Sequence, residues 1–158
     1  MMKRLFFAFE ILAPWDDPPS KKWIDPVMRH LTLAFLGNIE ASPLLEHLLL
    51  VPKPPFNVGQ CGLFDKLKFL PEHHARLVSF HAEFGERLPL FQTYVLELWN
   101  WLNGLGMTTT EKRAWLPHVT IARMPFSFAE WRKHFTPLPL AFHKLHLYES
   151  TPGSHYTP

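Results

Sequence analysis

Apolar and polar positions alternate most regularly in two stretches, "RHLTLAFLG" from Arg29 to Gly37 and "PHVTIAR" from Pro117 to Arg123. Leu31 and Leu33 hold one parity in the first, and Val119 and Ile121 in the second; His30 with Thr32, and His118 with Thr120, hold the other. A period of two predicts strands. On a strand, residues i and i+2 share a face. Each apolar pair would then anchor its strand in a core while an imidazole and a hydroxyl stand together on the opposite side.

The remaining pattern supplies the frame. Leu5 to Leu12 reads as an aromatic-rich strand, and "APWDDPPSKKWIDP", Ala13 to Pro26, as a loop because of its four prolines. His30 to Leu36 is a strand with Gly37-Asn38 as its turn signal. Ser42 as N-cap and Pro43 at the first helical position start a short helix ending near Pro52. Short apolar stretches from Phe56 to Leu70 suggest one or two strands, and another is placed near Arg76 to Phe80. Leu98, Trp101, Leu102 and Leu105 follow helical spacing, with Gly104 or Gly106 as the stop. Thr108 to Arg113 is a polar connector. Val119 to Ala122 is a strand, Ser127 caps a short helix, and Phe142 to Tyr148 is the last strand. The class is α+β. The two histidine segments lie 88 residues apart (118 − 30), each followed by a helix, which suggests two structurally related halves.

Composition adds limits. A chain of 158 residues suits one domain around a single core. Its 47% apolar and 19% charged content is ordinary globular usage, which excludes disordered and fibrous classes. A net charge of +2 is compatible with a polyanionic partner but lacks the dense Lys/Arg stripes of strong nucleic-acid binders. The single cysteine, Cys61, cannot form an internal disulfide, which points to a reducing compartment and a cytoplasmic protein. Lys3 and Arg4 precede an apolar run as in a signal peptide, but Glu10 breaks it too early. No stretch approaches the ~20 apolar residues of a membrane span.

Two such strands side by side would gather two imidazoles and two hydroxyls, a set matched to phosphodiester chemistry. Water attacking phosphorus needs a base, and a departing alkoxide needs an acid on the far side; each proton transfer is typically worth about 10²–10⁴-fold. Histidine serves either role near neutral pH. Threonine hydroxyls can donate to the phosphoryl oxygens. Chance supplies roughly half of one His-x-Thr in such a chain, so a single copy reads as a half-buried strand histidine with a β-forming threonine. Two copies in matching apolar flanks reverse that reading. No metal site is expected: His73-His74, His81 and the His143/His146 pair lack the grouped spacing of zinc ligands. Nothing near Cys61 marks it as a nucleophile.

At these residues the sequence resembles the two-histidine phosphoesterase superfamily, and within it the RNA 2',3'-cyclic phosphodiesterases, also called 2'-5' RNA ligases. "RLFFAFEI", "HLTLAFLGNI", "PHVTIAR" and "LHLYESTPGSHY" stand in the family's order across nearly the whole chain. The resemblance implies a bilobal α+β fold over residues 1–158. Two antiparallel sheets related by a pseudo-two-fold would form a central cleft, with helices outside. It implies opening of RNA 2',3'-cyclic phosphate ends, such as those of tRNA fragments, to 2'-phosphates by a monomer without metal or other cofactor, together with reversible 2'-5' RNA ligation. Carried over, His30 is the acid that protonates the departing 3'-oxygen, His118 the base, and Thr32 and Thr120 the phosphate holders. The acid and base are exchangeable on this ground alone. Arg123 matches a basic position of the second motif, although strict strand parity puts it opposite His118, so that only a bulge or the strand's end brings it to the cleft. Phe9, Trp23 and Tyr156 are named as rings able to stack on bases.

The proline-rich segment before His30 replaces the sizeable helix that relatives carry there, which leaves one side of the first lobe uncovered. Two other readings remain at this stage: an RNA-binding module without turnover, and a cyclic phosphodiesterase acting on a small nucleotide.

Overall fold

Runs of aliphatic and aromatic residues become seven strands: β1 (Met2–Leu12), β2 (His30–Glu40), β3 (Cys61–Leu70), β4 (Leu77–Glu83), β5 (His118–Arg123), β6 (Leu138–Thr151) and β7 (Ser154–Tyr156). Among the described residues three α-helices accompany them: α1 (Ser42–Glu46), α2 (Leu88–Gly104) and α3 (Phe128–His134). The computed structural model describes residues 2–17, 19, 22–54, 61–107, 115–151 and 154–156, with backbone alone from 151 onward. The predicted connector Thr108 to Arg113 lies outside the described residues, as do 55–60 of the region predicted as strand from Phe56.

All pairings are antiparallel, in the order β1-β2-β5-β4-β3-β6-β7, and β1 also pairs with β6, so the first six strands close into a ring. The ring consists of two three-stranded halves, β2-β1-β6 and β5-β4-β3. They meet at Leu31 opposite Val119, and where Leu138 to Ala141 of β6 runs beside Cys61 to Phe64 of β3. These halves are the two antiparallel sheets of the expected bilobal fold.

The chain traces one path twice: strand, connector, motif strand, helix, strand. β1-β2-α1-β3 is the first pass and β4-α2-β5-α3-β6 the second. The last strand of each pass crosses over. β3 completes the half built on β4 and β5, and β6 completes the half built on β1 and β2.

Burial follows the alternation. Leu5, Phe7, Phe9 and Ile11 of β1 enter the main core, while Phe6 and Ala8 of the same strand join Tyr148 and Phe35 in a separate cluster on the other face. Behind the first half lies α2, whose Phe91, Tyr94, Val95, Leu98 and Leu102 are buried, with Trp101 set edge-on to Phe7. Gly106, at φ 79°, follows its last turn. Behind the second half Trp131 of α3 meets Phe80; Ser127 caps that helix by accepting the Glu130 N–H at 3.3 Å.

Three features depart from the sequence reading. Gly37 does not turn the chain: Leu5 pairs with Gly37 and Phe6 with Phe35, so Leu36 is an extra residue and the strand continues to Glu40. Gly37, at φ 71°, provides the left-handed backbone that such a bulge uses as readily as a turn does. Ala41, not Ser42, is the N-cap of α1, because the Ser42 hydroxyl donates to Glu40 Oε1. The thin cover left by the proline-rich connector falls behind the second half, where Trp15 from that connector packs on Phe64 and Phe80.

Candidate active site

β2 and β5 are neighbours, and their register sets the site. With Leu31 opposite Val119, an antiparallel ladder sets His30 across from Thr120 and Thr32 across from His118. Leu31, Leu33, Val119 and Ile121 are all at most 2% exposed, so the four polar side chains share the face turned away from the main core. His30 and His118 are diagonal neighbours, a relation that spaces residues roughly 7–8 Å apart and leaves room for a phosphoryl group between the rings.

Each ring is oriented in the same way. His30 Nδ1 lies 2.9 Å from the carbonyl of Met28, and His118 Nδ1 lies 2.8 Å from that of Leu116, in both cases two residues upstream. A carbonyl only accepts, so Nδ1–H donates and Nε2 is the basic nitrogen of the neutral ring.

A bulge follows each motif. In β2, Ala8 pairs with Thr32 but Phe7 with Ala34, leaving Leu33 extra; in β5, Ser79 pairs with Thr120 but Val78 with Ala122, leaving Ile121 extra. The insertion resets the alternation. Phe35 and Arg123, on the wrong parity by simple counting, both come round to the histidine face. Arg123 is exposed at the end of β5. The bulged backbone is satisfied from outside the ladders. Trp115 and Trp99 donate their indole N–H groups to the carbonyls of Thr32 and Leu33, at 3.0 and 2.9 Å, while the Ile24 N–H donates to Ile121.

Around the motifs the halves differ. Opposite His30 on β1 stands Glu10, whose Oε2 accepts from His143 Nδ1 at 2.9 Å and His146 Nε2 at 3.0 Å. The hydrogen bond from His143 chiefly holds the Glu10 carboxyl below the usual carboxylate range. Opposite His118 on β4 stands His81, whose Nδ1 donates to Asp65 at 2.7 Å. Opposite Thr120 is the buried Ser79, its hydroxyl 3.4 Å from the threonine's; the matching residue opposite Thr32 is Ala8. The His30 ring packs on Phe6 and Tyr148, with centroids 4.8 and 5.2 Å away. Burial, helped by the charge of Glu10, pushes the Tyr148 phenol up to about 12.

The rings proposed for stacking are placed differently. Phe9 is fully buried in the main core and meets no solvent. Trp23 is 45% exposed but belongs to the connector beside Ala122, and the Tyr156 side chain is outside the described residues. The rings on the histidine face are Phe6, Phe35 and Tyr148, which only the register reveals. Another His-x-Thr, His134 to Thr136, starts at the last residue of α3 and continues beyond it, where strand parity does not apply. Among the described residues Asp65, His81 and Glu83 bring ligand-capable atoms within 4.8 Å of one another. His81 Nδ1 already donates to Asp65, and Glu83 Oε1 accepts the Gly85 N–H at 2.8 Å. No described helix is long and apolar enough to cross a membrane.

A curated relative from Thermotoga maritima, named RNA 2',3'-cyclic phosphodiesterase, is 32% identical over 142 residues, taking in 82% of this chain and 70% of the relative. No protein-family model matches. Among solved structures, one described as a phosphoesterase aligns with TM-score 0.68 at 20% identity, covering 99% of this chain and 94% of that one. E. coli LigT complexed with 3'-AMP aligns at 0.64 and 19%, covering 100% and 95%, and a protein of Thermus thermophilus at 0.60 and 21%, covering 98% and 93%. These structural likenesses bear on the fold, and the sequence identity bears on descent. The chain therefore belongs to the RNA 2',3'-cyclic phosphodiesterase family of two-histidine phosphoesterases.

Proposed function

We propose that the chain, working as one two-lobed monomer, opens 2',3'-cyclic phosphate ends of RNA, tRNA fragments among them, to 2'-phosphates. The observation that carries this reading is the register of Leu31 with Val119, which sets two Nδ1-anchored imidazoles diagonally on one face.

In this reaction water adds to phosphorus and gives its proton to His118 Nε2. The bond from phosphorus to the 3'-oxygen breaks, and His30 Nε2 supplies the proton that leaves a 3'-hydroxyl. Glu10 favours this assignment as a carboxylate directly across the ladder from His30, while Asp65 reaches the His118 side only through His81. Thr32 and Thr120 donate to the non-bridging oxygens. Because Thr120 can accept from Ser79, its own O–H is directed elsewhere, as a phosphate donor requires. Arg123 is a cation at the end of this face, suited to the incoming phosphate backbone. Run in the same direction with a 5'-hydroxyl in place of water, these steps form a 2'-5' link and free the 3'-hydroxyl, and run backward they cleave it.

A smaller substrate is the second reading. LigT has been solved with 3'-AMP, ATP and NADP+, so this fold takes small nucleotides. The deciding experiment incubates a cyclic-phosphate-terminated oligonucleotide, and separately a nucleoside 2',3'-cyclic phosphate, with the protein in EDTA. A 2'-phosphate product, formed faster on the oligonucleotide and lost in His30→Ala and His118→Ala, is expected. A 3'-phosphate product, or binding without turnover, would overturn the mechanism; preference for the mononucleotide would move the substrate.

A further inference from the structure

Each half carries a carboxylate and an imidazole on the two strands beside its motif strand, but in opposite order. In the first half the middle strand β1 bears Glu10 and the outer strand β6 bears His143 and His146. In the second the middle strand β4 bears His81 and the outer strand β3 bears Asp65. Only the second half therefore sets an imidazole directly across the ladder from its motif histidine.

Phe80 and Ala82, on either side of His81, enter the main core, so His81 stands on the face of His118. The Ala82 N–H donates to the Pro117 carbonyl, which makes His81 and His118 the neighbouring pair without ladder bonds of its own. Side chains approach most closely in such pairs, with Cβ atoms roughly 4.5–5.5 Å apart. A register shift leaves Asp65 as the extra residue between Phe64 and Lys66, and its carboxylate accepts the His81 Nδ1–H at 2.7 Å from the β3 side. The two nitrogens of an imidazole point widely apart, so this bond turns Nε2 away from β3 and toward the strand of His118. In the neutral ring Nε2 is an acceptor, and among the described residues it has no partner. The side chain is only 16% exposed.

An attacking water has two hydrogens. His118 Nε2 takes one as the oxygen adds to phosphorus; the other stays on that oxygen and needs an acceptor. Two Nε2 atoms as much as roughly 5–6 Å apart can hold one water between them at ordinary hydrogen-bond lengths. We propose that His81 Nε2 accepts this second hydrogen, and so positions the attacking water and favours it over an alcohol. This role rests on the reaction proposed above, with His118 as the base. With water, the new oxygen–phosphorus bond forms and the bond to the 3'-oxygen breaks. One proton passes to His118, one comes from His30, and the second hydrogen of the water remains on the product phosphate beside His81. An alcohol has one hydrogen, which goes to His118, so its carbon faces His81 and leaves that acceptor unmatched. The 5'-hydroxyl that would be ligated is such an alcohol, so His81 biases the site toward hydrolysis.

The test uses the full chain and a short RNA oligonucleotide ending in a 2',3'-cyclic phosphate, opened in a water–methanol mixture at about pH 8. Mass spectrometry gives the ratio of terminal phosphate to terminal methyl phosphate. Active molecules alone set this ratio, so a partly unfolded variant still reports it. Opening of the same end by free imidazole in the same mixture is the reference. The wild type should favour water more than free imidazole does. His81→Leu should lower the ratio by about 2–10-fold, the worth of one hydrogen bond, whereas His81→Gln, whose amide oxygen can stand in for Nε2, should keep most of it. If His81→Leu yields no active protein, the comparison of wild type with free imidazole decides. A wild-type ratio equal to that of imidazole, or an active His81→Leu with the wild-type ratio, overturns the role of His81 and leaves the reaction standing. Absence of turnover by the wild type overturns the reaction, and the role with it.

Discussion

His81 lies directly across the β4–β5 ladder from His118, whereas the residue directly across the β1–β2 ladder from His30 is Glu10. Two strands that match residue for residue through their motifs thus face unlike neighbours.

This inequivalence sets the pH dependence. kcat/KM should be bell-shaped, rising as His118 loses its proton and falling as His30 does. Glu10→Gln should move the falling limb down by about half a unit to one unit and leave the rising limb in place, as expected for the loss of one charge from a cross-strand pair in a wet site. Tyr148, pushed up to about 12, stays protonated throughout, so Tyr148→Phe should leave both limbs unmoved. A profile that only rises through neutrality would contradict the pairing.

His30→Ala and His118→Ala should each lower kcat by about 10²–10⁴-fold with the fold intact by circular dichroism. Thr120→Val should cost less and act mainly on kcat, because its donor is aimed at charge that grows during the reaction.

Glu10 also affects folding. Its pKa is lowered in the folded chain, so its contribution is fully present above the unfolded carboxylate value near 4.5 and is lost as pH falls through the folded value. The midpoint of Glu10→Gln should therefore trail wild type at pH 7, and the gap should close as the pH falls below the folded-state value of the carboxyl.

Arg123→Ala should raise KM for an oligonucleotide by a few-fold to about 10-fold at low salt, and by less at high salt, with kcat little changed. Arg123→Lys should recover part of the loss, since a point charge remains without the fork. A kcat defect of equal size would place Arg123 at the reacting phosphate instead.

Trp99→Phe should destabilise by about 1–3 kcal/mol, the cost of leaving the Leu33 carbonyl unpaired, measured by urea unfolding.

What the sequence disclosed was local. His30 with Thr32 and His118 with Thr120 follow from a two-residue period, and Ser127 from a cap that reaches three residues forward. Arg123 shows where such reading fails. Counting parity puts it on the wrong face, and the correction is an extra residue at Ile121, visible only against the register of β4. Phe35 was missed for the same reason. Glu10 and His81 are ordinary strand residues in the sequence and acquire their place from pairings made many positions away. Gly37 misled because one backbone conformation serves both a turn and a bulge. Phe9 misled because its strand is covered on both sides, so being a ring said nothing about reaching solvent.

The crossing of β3 and β6 ties these relationships together. A cut in the turn between β3 and β4 would yield two pieces, each carrying one motif histidine and each deprived of the outer strand of its own half. Neither piece could shield its exposed edge alone, and recombination would have to restore both at once. Interlocking of this kind makes the spacing of the two imidazoles a property of the whole polypeptide, inherited together or not at all.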